Sequence, residues 1–212
     1  KDHNKIGDET EVNEEEEYHQ KNCKVATFSD DSFVIAWNSA HQQDTSASNY
    51  DVYMSIFNKD GRKTLAETLV NTETELSQQF DGYGSKNIVV FSDDTFVIVY
   101  ENTDNSDNQD HNGVAFQILN KDGTKKGTEV RDVEGLLTYS SSNILWTTVR
   151  PTLDDGFYVL TLSSVPSQGT LIFMKFDKEG TKIGNNNVIS TNPKITRPFF
   201  DVFSDGGIII TW

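Results

Sequence analysis

The chain contains 212 residues and carries a formal net charge of −15 at pH 7. This acidity excludes a nucleic-acid partner, because phosphate backbones are bound through a basic surface. No segment reaches the roughly 18 consecutive apolar residues of a membrane helix, so we expect no membrane insertion. The single cysteine, Cys23, excludes an internal disulfide.

An acidic turn followed by an apolar segment recurs along the chain. The stretch "FSDDSFVIAW" at 28–37 returns as "FSDDTFVIVY" at 91–100. The first aspartate of this turn is found at four places, Asp30, Asp93, Asp154 and Asp205. A second marker, a glycine turn, alternates with it: "NKDG" at 58–61, "NKDG" at 120–123 and "DKEG" at 177–180. Two markers in a constant order indicate internal repeats.

Each repeat is predicted to contain four short strands, A to D. The aspartate turn joins A to B and the glycine turn joins C to D, because Asp and Gly tolerate the left-handed backbone of tight hairpins. The second turn position changes from Asp31 and Asp94 to Gly206, which favours a turn over a catalytic carboxylate pair. We expect the first Asp to accept hydrogen bonds from its own turn.

Strand B indicates how the repeats pack. In Phe33–Trp37 both alternating faces are apolar, which is typical of a strand covered on both sides. Strand D is the most polar of the four, as an outer edge strand should be. The sequence therefore predicts an all-β fold, a β-propeller-like array of about 3.5 four-stranded antiparallel blades.

The repeats predict one domain over residues 1–212. Its parts are 1–22 (a strand D over 7–14 from a preceding blade, then an acidic loop), 23–86 (first blade), 87–143 (second), 144–196 (third) and 197–212 (a partial fourth blade without strand C). A missing strand leaves unpaired backbone that another chain can cover. The residues predicted to form this assembly edge are Ile208, Ile210, Trp212, Glu9, Glu11 and Val12.

Three segments carry a resemblance to a known class of repeats. They are "SDGGIIITW" at 204–212, "FDKEGTKIG" at 176–184 and "LVNT" at 69–72. Together they resemble the tandem β-repeats of large secreted and cell-surface proteins of bacteria and protists. The resemblance implies a non-catalytic spacer, adhesion or surface-layer module in an extracellular or cell-surface location.

Few groups suggest chemistry. A loop with Asp104, Asp107 and Asp110 offers hard oxygens suited to calcium, although it lacks the EF-hand pattern, and a flexible polar loop is the alternative interpretation. No other cofactor is predicted. No nucleophile elbow, phosphate loop or dinucleotide motif occurs, so no catalytic residue is predicted. Tyr50, Tyr83 and Tyr139 could stack on sugars or cover blade edges.

Two functions follow from these observations. The first is a non-enzymatic extracellular structural or adhesive protein, whose identical subunits associate by strand complementation into a filament or surface layer. The alternative is a lectin-like propeller, with glycans or other ligands bound by polar loops. A glycosidase ranks last, because it needs two converging carboxylates that the sequence does not place.

Overall fold

A computed structural model describes residues 8–15, 17, 19–40, 49–72, 74, 77–80, 85–104, 110–131, 141–165, 168–192 and 194–212. Fourteen β-strands and no α-helix occur in this part of the chain, which agrees with the predicted all-β class. Within the same ranges, no helix is long and apolar enough to cross a membrane.

The first unit is a four-stranded antiparallel sheet in chain order. Its strands are β1 (Gln20–Thr27), β2 (Phe33–Ala40), β3 (Tyr50–Phe57) and β4 (Lys63–Leu69). They correspond to the predicted strands A to D, with the aspartate turn between β1 and β2 and the glycine turn between β3 and β4.

The second unit departs from the predicted pattern at both edges. Its strands are β5 (Ser77–Gln79), β6 (Ile88–Val90), β7 (Phe96–Asp104) and β8 (Asp110–Leu119). Both β5 and β6 pair with β7, so two short segments share the inner edge. The strand D predicted after the glycine turn is reduced to two bridges, Phe116 with Val130 and Leu119 with Lys125.

The third unit is again a four-stranded antiparallel sheet. Its strands are β9 (Ser141–Pro151), β10 (Phe157–Val165), β11 (Gln168–Phe176) and β12 (Lys182–Ser190). The start of β8 pairs in parallel with the start of β9, which joins the second and third units into one eight-stranded sheet. The final hairpin follows, with β13 (Phe199–Val202) and β14 (Ile208–Thr211).

The N-terminal segment does not form the strand that was predicted over 7–14. Its described part, residues 8–15, contains no strand. A strand D is stable only when it pairs with a strand C, and β3, the strand C of the first unit, is already paired with β4. Instead, Lys63 Nζ donates to Glu14 Oε1 at 3.2 Å, and Glu14 N donates to a Glu67 carboxylate oxygen at 2.6 Å.

Apolar side chains pack between successive sheets. Alternate residues of β7 point to opposite sides: Phe96 and Ile98 pack against the first unit, while Val97 and Val99 pack against the third. A third apolar cluster, which includes Trp146 and Phe200, joins the third unit to the final hairpin. The apolar character of both faces of strand B is thereby explained for β7 and β10, each of which packs in two clusters; in β2, Val34 and Ala36 pack in one cluster, while Phe33 and Ile35 are half-buried.

The aspartate turns have the geometry that the repeats predicted. The second turn residue is left-handed in every copy, with φ of 65° at Asp31, 61° at Asp94, 61° at Asp155 and 87° at Gly206. The first aspartate accepts a hydrogen bond from its own turn in three copies, through Ser32 N, Thr95 N and Gly207 N. In the third copy Thr152 Oγ1 replaces it and accepts from Gly156 N at 2.7 Å.

The second aspartate also binds the neighbouring unit. Asp94 accepts from Ser29 N at 2.8 Å and from Ser29 Oγ at 2.7 Å. Lys121, from the glycine turn of the same unit as Asp94, lies 2.7 Å from Asp94 Oδ2 and 2.9 Å from Asp30 Oδ2. We call this set of four residues the junction clamp. It consists of a serine and the first aspartate of one unit, and of the second aspartate and the glycine-turn lysine of the next unit.

The clamp is repeated between the second and third units. Asp155 accepts from Ser92 N and Ser92 Oγ, both at 2.8 Å. Lys178 lies 3.2 Å from Asp93 Oδ2 and 3.4 Å from Asp155 Oδ2. The same four residue types therefore join two successive pairs of units.

The clamp holds its carboxylates in the charged form. Hydrogen bonds from Ser32 and Lys121 place the pKa of Asp30 far below its usual range. The pKa of Asp94 is lowered by Lys121 and by Ser29. These two carboxylates in turn raise the pKa of Lys121. Ion pairing and charge-assisted hydrogen bonds thus reinforce each other at the junction.

Candidate functional site

The innermost strands of the four units lie side by side. Strand β6 contacts β1 and β9, and β9 also contacts β13. Val149 N donates to the Lys86 carbonyl at 2.8 Å, which fixes β9 beside the chain that leads into β6. Buried Asn87 donates to the Val99 carbonyl at 3.0 Å. The inner edges of the sheets therefore converge, and grooves form between them.

One groove, of about 410 Å³, opens between the first three inner strands. Its walls come from β1, β6 and β9 and are mostly aliphatic. Lys86 is the charged residue of its lining, and the exposed side chain of Val25 forms part of the opposite wall. Aliphatic side chains with one cation provide area for a ligand but few side-chain groups that could give specificity.

A second cavity, of about 240 Å³, lies on the other side of β9, between β9 and the final hairpin. We call it the Arg150 cleft. Its lining residues are Arg150, Phe199, Phe200, Asp201, Ile209 and Thr211. It combines an ion pair, two aromatic rings and a hydroxyl in a small volume. It therefore offers more groups for specific ligand contacts than the aliphatic groove does.

Arg150 is held rigidly in this cleft. Its Nε donates to Asp201 Oδ1 at 3.2 Å, and its Nη1 donates to the Val149 carbonyl at 2.8 Å and to Thr148 Oγ1 at 3.3 Å. The guanidinium carbon lies 5.5 Å from the centre of the Phe200 ring. Within the described part of the chain, Nη2 has no partner, so two donors of a preorganised guanidinium are available.

Asp201 supplies an acceptor beside these donors. A hydrogen bond from Val202 N lowers the pKa of this carboxyl, and the charges of Arg150 and Lys86 lower it further. It is therefore ionised at neutral pH, and its side chain is 76% exposed. Oδ1 faces Arg150, while Oδ2 makes no interaction with the residues that the structure describes.

Phe199 completes the cleft with an exposed aromatic ring. Its ring packs edge-on against Trp146, with centroids 5.3 Å apart, so its orientation is fixed. Buried Phe200 supports the guanidinium from below. A fixed ring next to a fixed donor and an ionised acceptor can bind a ring-shaped ligand that has one apolar face and several hydroxyl groups.

The predicted calcium loop is only partly within the described residues. Asp104 ends β7 and Asp110 begins β8, where Asp104 pairs with His111 in the ladder, whereas Asp107 lies outside the described residues. Nowhere in the described ranges do three His, Cys, Asp or Glu side chains form a group that could hold a metal. The calcium site stays a prediction.

The predicted assembly edge lies on two different units. Ile208 and Ile210 are in β14 and Trp212 follows it; Ile210 packs towards the third unit, while Trp212 is 55% exposed. Glu9, Glu11 and Val12 lie in the N-terminal segment, and the last two line a cavity of about 430 Å³ against Trp37 of the first unit. These N-terminal residues form no strand, so they provide no ladder edge.

The sequence did not single out the residues of the Arg150 cleft. Of the tyrosines considered for sugar stacking, Tyr50 lies under the Lys21 ammonium at 3.7 Å, and Tyr83 and Tyr139 fall outside the described residues. A signal did exist, because Arg150 interrupts an inner strand of Thr and Val and Asp201 interrupts one of Phe and Val. A charged residue between apolar neighbours in an inner strand indicates a possible ion-pair partner on an adjacent strand.

Comparisons with known proteins identify the fold of the chain but not its activity. No protein-family model and no curated protein matches the chain. Among solved structures, it is similar to an endo-arabinase from Bacteroides thetaiotaomicron VPI-5482, with a TM-score of 0.54 and 9% sequence identity over 89% of this chain and 68% of that one. The likeness to that enzyme shows the fold alone and confirms the predicted propeller-like array of four-stranded antiparallel sheets.

Proposed function

We propose that this chain is a non-enzymatic, extracellular or cell-surface module that binds glycans at the inner edges of its sheets. The observation that carries this proposal is the Arg150 cleft. Its guanidinium offers donors through Nη2, the ionised Asp201 offers an acceptor, and Phe199 offers a fixed apolar face. Adjacent sugar hydroxyls need a donor and an acceptor together, and the ring stacks on the C–H face of the sugar.

Two further observations support the proposal, one for a carbohydrate ligand and one for binding without hydrolysis. The chain is similar in fold to an endo-arabinase, an enzyme that acts on a glycan. The residues that line the Arg150 cleft include one carboxylate, Asp201, which supports binding over hydrolysis, because glycosidases generally use two. Carbohydrate binding at a cell surface is also one physical route to the adhesive role that the repeats imply.

The test is a glycan array followed by calorimetric titration of each positive glycan, with arabinan oligosaccharides included as probes. Arg150→Gln and Asp201→Asn should each weaken binding by about tenfold or more, because each removes a charged group that would hydrogen-bond the ligand and keeps a polar side chain in its place. Arg62→Ala removes an exposed arginine in a glycine turn and should leave binding unchanged. Thermal melts of all variants separate lost binding from lost folding.

Two results would contradict the proposal. One is an array without a positive glycan for the native protein. The other is binding that survives in folded Arg150→Gln and Asp201→Asn variants, which would move the site away from the Arg150 cleft.

A further inference from the structure

The junction clamp has two halves that come from different units. The trailing half is the serine and first aspartate of one aspartate turn. The leading half is the second aspartate and the glycine-turn lysine of the following unit. Both complete clamps obey this division, with Ser29 and Asp30 facing Asp94 and Lys121 in the first of them.

The clamp is absent between the third unit and the final hairpin, and both halves change there together. Leu153 stands in the serine position and Gly206 in the second aspartate position. A side-chain carbon added to Gly206 would lie 3.4 Å from Leu153 Cδ1, so the two positions still face each other. Asp154 is paired within its own unit, with Lys175 Nζ 2.7 Å away. The serine and the carboxylate are therefore replaced as a matched pair.

One leading half and one trailing half remain unused in the described part of the chain. The leading half is Asp31 and Lys59 in the first unit, and the trailing half is Ser204 and Asp205 in the final hairpin. All four residues are exposed, and the side chains of Asp31 and Lys59 make no hydrogen bond or ion pair with described residues. Both facing clamp positions are replaced at the junction between the third unit and the final hairpin, whereas all four groups are kept in these two unused halves.

The unused halves have the geometry of the used ones. Asp31 has φ of 65°, against 61° for the engaged Asp94. Asp205 Oδ1 accepts from Gly207 N at 2.9 Å, as Asp30 Oδ1 accepts from Ser32 N at 3.1 Å. In the complete clamp it is the other oxygen of Asp30 that meets the lysine. Asp205 therefore presents a carboxylate oxygen for a lysine from another unit.

We propose that two copies of this chain bind head to tail through a fifth-position clamp, in which Ser204 and Asp205 of one copy engage Asp31 and Lys59 of the next. The charges are complementary, because Lys59 meets Asp205 and Ser204 donates to Asp31, as in both internal clamps. Beside the trailing half, the apolar side chain of Phe203 is 53% exposed. A head-to-tail contact covers this side chain, and repeating it builds a filament.

Charge reversal tests the lysine–aspartate pair. Analytical ultracentrifugation at low ionic strength should show concentration-dependent association of the native chain. Lys59→Asp and Asp205→Lys should each weaken it by about tenfold or more, because like charges then face each other. A chain with both reversals should recover association. Asp60→Lys, next to Lys59 and exposed, changes the net charge as Asp205→Lys does and should have little effect.

Cysteine cross-linking tests whether the partner is a second copy. In a Cys23→Ser background, chains carrying Asp31→Cys are mixed with chains carrying Ser204→Cys and treated with a short bifunctional thiol reagent. A covalent dimer that forms only in the mixture supports the proposal. A strictly monomeric chain, association that is insensitive to the reversals, or a fast-migrating intramolecular product when both cysteines are in one chain would each overturn it.

Discussion

Two hairpins with the same turn pattern and the same closing tryptophan have different surroundings in this molecule. "FSDDSFVIAW" at 28–37 and "FSDGGIIITW" at 203–212 both form a β-hairpin arm with a left-handed second turn residue. In the first unit, Trp37 is 3% exposed, whereas the equivalent Trp212 in the final hairpin is 55% exposed. The comparison shows that the local sequence determines the turn, while neighbouring sheets determine burial and therefore stability.

The tryptophan pair should show the largest difference. Trp37→Ala should lower the free energy of unfolding by about 3 kcal/mol, because it removes a buried ring beside an existing cavity. Trp212→Ala should change it by less than about 0.5 kcal/mol, as an exposed residue does. Chemical denaturation followed by circular dichroism measures both, and equal losses would show that the final hairpin is covered in solution.

The second turn position should show an intermediate difference. Asp94→Gly and Asp31→Gly are made at the same left-handed backbone conformation, so strain is relieved equally in both. Asp94→Gly should be less stable than Asp31→Gly by about 1–2 kcal/mol, because it alone loses the bonds from Ser29 and Lys121. Denaturation at a dilution where the chain is monomeric isolates this difference, and equal stabilities would mean that the junction clamp contributes nothing.

Acid should produce the smallest effect. Hydrogen bonds from Thr95, together with Lys178, lower the pKa of Asp93 from 3.8 to about 2 in the folded chain. Since the folded pKa is the lower one, this stabilisation is present above about pH 4 and is lost as the pH falls towards 2. Melting temperatures measured from pH 6 to pH 2 should therefore fall less in Asp93→Asn than in the native chain. Parallel curves would contradict this assignment.

The sequence predicted the repeated hairpins because turn chemistry is local. The capping role of Asp30 and the left-handed conformation of Asp31 follow from residues within a few positions. The clamp could not be predicted in this way, since Ser29 and Asp94 are 65 positions apart and the sequence does not show which unit faces which. The changes to Leu153 and Gly206 are visible in the sequence. Only the structure shows that the two positions face each other and therefore changed as a pair.

The candidate site was missed for a related reason. Arg150 and Asp201 belong to different inner strands, and their 3.2 Å contact depends on how the final hairpin packs on the third unit. The N-terminal strand was wrongly predicted because its sequence matches strand D while the strand C it needs is not beside it. In both cases the sequence of one segment does not show which other segment lies beside it in the fold.

The parallel pairing of β8 with β9 has a consequence for how the molecule opens. Because it links two units into one eight-stranded sheet, those units share backbone hydrogen bonds as well as apolar contacts. Their central strands, β7 to β10, should therefore open together, and the ladder amides of these strands should exchange slowly. The two-stranded final hairpin has no such ladder to a neighbour among the described strands, so its amides should exchange by local opening. The final hairpin, which forms one wall of the Arg150 cleft, should therefore open before the joined units do, while its contacts with Trp146 and Arg150 hold the cleft in place in the closed state.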